Sequence, residues 1–304
     1  MIALQLLAAL LIVLALANLI FGRLPKAPES GGGIIDTEHG PLHYVEHVGE
    51  GLPIVFLHGM PSTAREFDRV RAQLGGRHTL AFDRPGYAWS TGDPQSFAHQ
   101  LDAVVEASRT LGVDRAIVVG HSFGGLAALG LAVRHAEFVV GLLLIAPAAG
   151  GARVTESMER QARMIMQLER PAVRQLADLL FFRLARKHAA RIGAREVYGD
   201  APELSVQRHI AESMLARHNS VRALCGDRLG FNDNERMITK QLRRVTQPTV
   251  ILQGEDDRTT TLKNAHRLHD ALAASDLVEV PGDHYLPTKW PEVVVEALAT
   301  LEDR

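Results

Sequence analysis

Cysteine is almost absent from this chain. Cys225 is the only one among 304 residues, so no disulfide can close within it and the redox compartment is left open. A surplus of either charge is missing as well. At a formal net charge of −2, nothing in the overall balance asks for nucleic acid as a partner. No internal repeat is present, and no low-complexity tract beyond the amino terminus. His266 and His269 stand three apart, but no cysteine or acidic set accompanies them, so they read as surface residues rather than metal ligands. What remains is a chain 46% hydrophobic and 22% charged, which suits one α/β domain of ordinary size carrying an insertion.

Residues 1–21 lack any charged side chain and hold only Gln5 and Asn18 as clearly polar residues. A helix of that length would run about 30 Å, the thickness of a bilayer's hydrocarbon core, and it has no polar face. The segment therefore reads as a single-pass membrane anchor, with residues 22–33, rich in glycine and holding two prolines, as its linker. A cleaved secretory signal is the rival, because Ala15-Leu16-Ala17 resembles a cleavage site; the missing basic n-region argues against it. Arg23 and Lys26 follow the segment and nothing basic precedes it, which favours a cytoplasmic over a periplasmic or secreted domain.

From Ile34 onward short apolar strands alternate with amphipathic helices. Strand patterns fall at 42–48, 53–57, 79–82, 115–119 and 139–145, with helices at 63–74 and 97–111. Such alternation calls for a mostly parallel sheet covered on both faces. The texture then changes. Residues 154–168, 172–187 and 204–224 look helical with no strand between them, and strands return at 248–252 and 277–280. The expected organisation is a core of 34–150 and 246–304 interrupted by a helical cap at 151–245. Between Gly151 and Cys225 there are thirteen Arg or Lys against eight Asp or Glu, which reads as a solvated face, or beside a tether as attraction to anionic headgroups. Met158, Met164, Met166 and Met214 in this insertion read equally as ordinary packing or as an adaptable pocket lining.

The chemistry centres on Gly120-His121-Ser122-Phe123-Gly124-Gly125, where an apolar run stops and a helix-forming run begins. A serine at the apex of such a turn is held in strained backbone angles, with its hydroxyl aimed over a helix N-terminus. Alone, the pattern is weak. Serine needs a base, and the base needs a group to orient it. Two loops that follow late strands supply both: Gly254-Glu255-Asp256-Asp257 and Pro281-Gly282-Asp283-His284. Asp256 and Asp257 are both available as the acid, the spacing from Gly254 favouring Asp257. After the first strong strand, His58-Gly59-Met60-Pro61 offers the N–H of Met60 to an oxyanion, and Phe123 offers a second. Asp83 and Arg84 read as turn and packing residues, and His121 as a packing and hydrogen-bonding one.

With these motifs in order, the chain resembles the α/β-hydrolase superfamily, in its serine-nucleophile branch with a helical cap after the sixth strand. The likeness covers roughly 34–301 and rests on His58-Gly-x-Pro61, Asp83-Arg-Pro-Gly-Tyr87, Gly-His-Ser-Phe-Gly-Gly125, Gly254-x-x-Asp257 and Gly282-x-His284. It implies Ser122 as nucleophile, Asp257 as acid, His284 as base, Met60 and Phe123 as oxyanion donors, and the insertion as a lid. It also implies a small, mostly apolar ester-like substrate and no metal or organic cofactor. Where the family often has an aliphatic residue and then proline after the acid, this chain has Arg258-Thr-Thr-Thr261. Carbon–carbon bond hydrolases, aminopeptidases, acyltransferases, cofactor-free haloperoxidases and non-catalytic receptors share the same motifs, and the sequence leaves them open beside an esterase.

Overall fold

The computed structural model describes residues 1–24, 29–93 and 95–302, apart from the side chains of 2–4. Pro25, Lys26, Ala27 and Pro28, part of the expected linker and of the charge pair used for orientation, lie outside the described residues. In chain order, α1 (Ile2–Phe21) precedes β1 (Gly33–Thr37), β2 (Gly40–His47) and β3 (Glu50–Leu57). A 3-10 turn, Ala64–Phe67, leads into α2 (Asp68–Gln73) and β4 (Arg77–Phe82). Then come α3 (Phe97–Thr110), β5 (Ala116–His121), α4 (Phe123–Arg134) and β6 (Val139–Ile145).

Five helices follow β6 without a strand: α5 (Glu156–Leu168), α6 (Pro171–Leu180), α7 (Phe182–Tyr198), α8 (Ser205–Met214) and α9 (His218–Thr239). The chain closes with β7 (Thr249–Gly254), α10 (Leu262–Ala271), β8 (Ser275–Val280), α11 (Leu286–Lys289) and α12 (Pro291–Glu302).

The eight strands form one sheet in the order β1-β2-β4-β3-β5-β6-β7-β8. β2 runs antiparallel to β1 and β4, and all other neighbours are parallel. The period-2 alternation of a strand divides the core in two. Val118, Leu142, Leu144 and Ile251 join a cluster on the α3 and α4 side, while Ile117, Val119, Leu143, Ile145, Val250 and Leu252 join one with α12. Both faces being covered explains why the central strands read as unbroken apolar runs. The parallel strands also end on one side, so the loops after β3, β5, β7 and β8 meet there.

Two expectations need correction. The first is the anchor at 1–21: among the described residues, no helix is long and apolar enough to cross a membrane. Nor does α1 stand free, since Asn18 is 1% exposed and packs into α6 and α7. The single-pass localisation, the membrane as partner, the choice of membrane side and the headgroup reading of the basic insertion all lose their basis with it.

The second correction concerns the helix expected at 172–187, which is broken in two. Phe181 adopts φ −157° between α6 and α7, and Asn18 fills the gap. Its amide nitrogen donates to the carbonyls of Asp178 and Leu179, the latter at 2.9 Å, and its amide oxygen accepts the N–H of Leu184 at 3.0 Å. One side chain thus replaces the ladder bonds that the break removes. The helix expected at 204–224 is likewise split, around 215–217, and α9 continues to Thr239.

Candidate active site

Ser122 stands between β5 and α4 at φ +53°, ψ −116°, a conformation sparsely populated by residues with a side chain. The turn is possible because its neighbours have no Cβ. A Cβ on Gly120 would lie 2.2 Å from the Gly124 carbonyl oxygen, and one on Gly124 would lie 1.9 Å from that of Leu57. The elbow is pinned from outside as well, by the Ser122 N–H on the Ile145 carbonyl at 2.9 Å. Phe123 opens α4, where first-turn N–H groups have no partner inside the helix. Met60 sits in the loop after β3, and Gly59 beside it runs against Ser122: a Cβ there would lie 3.2 Å from the Ser122 Cβ.

The loop after β7 carries both candidate acids, and the structure separates them. Asp256 is exposed, whereas Asp257 is 5% exposed and accepts from every side. Its Oδ1 takes the N–H groups of Thr259 at 2.7 Å and Thr260 at 2.9 Å. Its Oδ2 takes the Thr260 hydroxyl at 2.8 Å, Gln253 Nε2 at 2.9 Å and Nδ1 of His284 at 2.7 Å. Burial alone would raise this carboxyl, but the bonds to His284 and Thr260 hold it below the usual carboxylate range. The departure Arg258-Thr-Thr-Thr261 is therefore not idle. Thr259 and Thr260 supply three of the donors that keep Asp257 ionised.

His284, 6% exposed, has its basicity lowered mainly by burial, against the raising effect of the Asp257 bond. With Nδ1 committed to the acid, Nε2 is the atom left to take a proton. Ser122, His284, Met60 and Thr259 line one small cavity of about 50 Å³. Gly193, Glu196 and Val197 of α7 close it from the opposite side. Among the methionines of the insertion, none lines it: Met214 is buried and Met164 is exposed.

Asp83 and Arg84 are structural, as their pattern suggests. Asp83 receives the N–H of Ala64 at 2.7 Å and meets His43 Nδ1 at 2.8 Å. Arg84 is buried, bonded to Asp227 at 2.8 Å, and stacks 4.3 Å from the Phe123 ring centroid. His266 pairs with Glu279 at the surface, and His269 bonds the Ser275 hydroxyl. Among the described residues, no group of three or more His, Cys, Asp or Glu is placed to hold a metal ion.

Sequence reasoning passed over Gln253, Thr260, Glu66 and the α7 lining residues. A glutamine ending a strand and a glutamate in a short turn carry no pattern of their own.

A family model described as the alpha/beta hydrolase family matches residues 54–297. The chain belongs to that family. As an α/β hydrolase, it is 28% identical over 261 residues to the AB hydrolase superfamily protein YisY of Bacillus subtilis, covering 81% of this chain and 90% of that one. It is 26% identical over 273 residues to 2-(acetamidomethylene)succinate hydrolase of Mesorhizobium japonicum, covering 85% and 91%. The fold is also that of an esterase from Thermogutta terrifontis, at TM-score 0.70 and 18% identity over 90% of this chain and 98% of that one.

Proposed function

We propose that this α/β hydrolase is a serine esterase acting on small, uncharged carboxylic esters through an acyl-enzyme. Ser122 Oγ attacks the carbonyl carbon as its proton passes to Nε2 of His284, and Asp257 steadies the imidazolium that forms. The oxyanion is held by the N–H groups of Met60 and Phe123. Collapse breaks the C–O bond, with His284 returning the proton to the leaving alkoxide. Water then attacks the acyl carbon, gives a proton to His284, and frees the carboxylic acid and Ser122. No step calls for a metal or an organic cofactor.

The observation that carries the reading is that His284, its Nδ1 held at 2.7 Å by the saturated Asp257, lines the same cavity as a serine in a strained turn. Residues 151–245 act as the cap in this reading, supported by the α7 residues that close the cavity. The lining also argues for an uncharged substrate. It holds no Lys or Arg, while Glu66 and Glu196 are both carboxylates. His121 in that lining is already paired with Glu66, so a dianion such as the succinate named for the Mesorhizobium relative would meet no unpaired cation there, which weighs against the same specificity here.

The test is turnover of p-nitrophenyl butyrate by the wild type, together with fluorophosphonate labelling. Labelling of Ser122 with release of p-nitrophenol is expected. A folded protein that neither labels nor turns over any ester would end the reading and favour a binding role.

A further inference from the structure

Behind the triad lies a second buried acid and histidine that the steps above leave unused. Glu66, in the 3-10 turn after β3, is 1% exposed, and His121, the last residue of β5, is 2% exposed. The Glu66 carboxylate accepts the N–H of Gly59 on Oε2 at 3.0 Å, and its Oε1 forms an ion pair with His121 Nδ1. On its other side, His121 Nε2 lies 2.8 Å from the carbonyl oxygen of His284. A carbonyl oxygen can only accept, so Nε2 carries a proton; Nδ1 faces the Glu66 carboxyl and carries the other when that carboxyl is ionised.

We propose that Glu66 and a permanently protonated His121 form a buried ion pair that positions His284 and the oxyanion loop. The proposal rests on the esterase reading for its kinetic consequences, though not for the ionisation itself. The pair touches the three parts that must agree in geometry. It binds the residue before Met60, it includes the residue before Ser122, and it holds the backbone of His284. These come from the loops after β3, β5 and β8, which share no local contact in sequence. A misplacement of 1 Å among them would cost on the order of a hundredfold in rate.

The charge has an effect beyond placement. His284 is faced by Asp257 from the loop after β7, by His121 from β5 and by Glu66 from the turn, with Tyr285 next in chain and Lys289 tied to Asp283. The His121 and His284 rings lie 4.8 Å apart. A cation at that distance resists protonation of His284, which keeps it a free base at rest and a readier donor to the leaving alkoxide. The directions agree. Burial opposes charge on His121, yet Glu66 raises it; burial raises Glu66, yet His121 brings it below its ordinary value. On His284, the depressing effect of His121 exceeds the opposing one of Glu66. Because desolvation consumes most of what such a pair gains, its use here is geometric and electrostatic rather than as a source of stability.

The experiment uses the intact protein labelled with ¹⁵N-histidine, together with E66Q and H121Q. In the wild type, the His121 ring should carry protons on both nitrogens from pH 6 to 8. In the variants, kcat on p-nitrophenyl butyrate should fall about tenfold at little-changed KM. The acid limb of kcat/KM should move to higher pH, and further in H121Q, which removes the cation but leaves Glu66. A loss of thermal stability with an unmoved acid limb in both folded variants would mean a merely structural role and overturn the proposal. A singly protonated His121 in the wild type would overturn it regardless of activity. If the wild type turns over no ester, the reaction assignment fails, while the ring spectrum still decides on the ion pair.

Discussion

The Thr260 hydroxyl lies 2.8 Å from Oδ2 of Asp257 and 3.3 Å from Nδ1 of His284, bridging the edge of their hydrogen bond, and also 3.0 Å from the Ala146 carbonyl. A hydroxyl has one hydrogen and must divide its attention. Replacing it with the isosteric Thr260→Val leaves the two backbone donors on Oδ1 but frees the His284 ring to tilt. We expect kcat on p-nitrophenyl butyrate to drop about tenfold with KM unchanged. Steady-state kinetics checks this; a raised KM at unchanged kcat would assign Thr260 to binding instead.

The two adjacent aspartates make a clean pair of variants. Asp257→Asn removes the charge that steadies the imidazolium and upsets the tautomer, so turnover should fall on the order of ten-thousandfold. Asp256 is exposed and should tolerate Asn within about twofold. Ser122→Ala should lose on the order of a millionfold and all fluorophosphonate labelling while keeping its circular dichroism spectrum.

Acid should weaken the fold through His58. This ring is wholly buried and must stay neutral, since Nε2 accepts the Arg84 N–H at 2.9 Å while Nδ1 faces the Gly59 carbonyl at 2.8 Å. Burial, with Arg84 adding to it, lowers its pKa from 6.5 to about 4. The unfolded chain takes up the proton first, so this contribution to stability is fully present above pH 6.5 and is lost progressively on acidification to pH 4. The loss amounts to about 3 kcal/mol. Urea midpoints at pH 7 and pH 4.5, compared with those of a His58→Asn variant, measure it: the variant's decline should be shallower.

Glu196 should act as a charge filter at the cavity. In wild type, p-nitrophenyl hemisuccinate should be a poorer substrate than p-nitrophenyl butyrate. Glu196→Lys should improve the ratio of their kcat/KM values by roughly fivefold, with the gain shrinking as salt is added. A ratio unmoved by the substitution would place Glu196 out of the substrate's reach.

Asn18→Leu keeps the volume of a buried side chain but strands the carbonyls of Asp178 and Leu179 and the N–H of Leu184. A destabilisation of about 2–3 kcal/mol is expected, read as a lower urea midpoint at unchanged slope.

How much of this was legible in the sequence depended on where the cause of each feature lies. Ser122, Asp257 and His284 stand out as candidates because each sits in a loop whose turn chemistry is written in its immediate neighbours. The sheet could be read because strands covered on both faces are continuous apolar runs. The break between α6 and α7 could not, since its cause is Asn18, 160 residues away, and both segments keep a helical pattern through Phe181. Glu66 was hidden for the same reason: a lone acid in a short turn gains meaning only when β5 brings His121 against it. The anchor reading failed because composition alone cannot report that Asn18 is spent inside the protein rather than facing lipid.

That amide plug carries a practical warning for anyone who would trim the chain at its front to ease purification. Cutting away the first two dozen residues deletes the group that seals a fracture in a remote pair of helices, and α7 forms a wall of the cavity that Ser122 and His284 line. A shortened enzyme that works poorly would then be reporting a loosened roof rather than damaged chemistry.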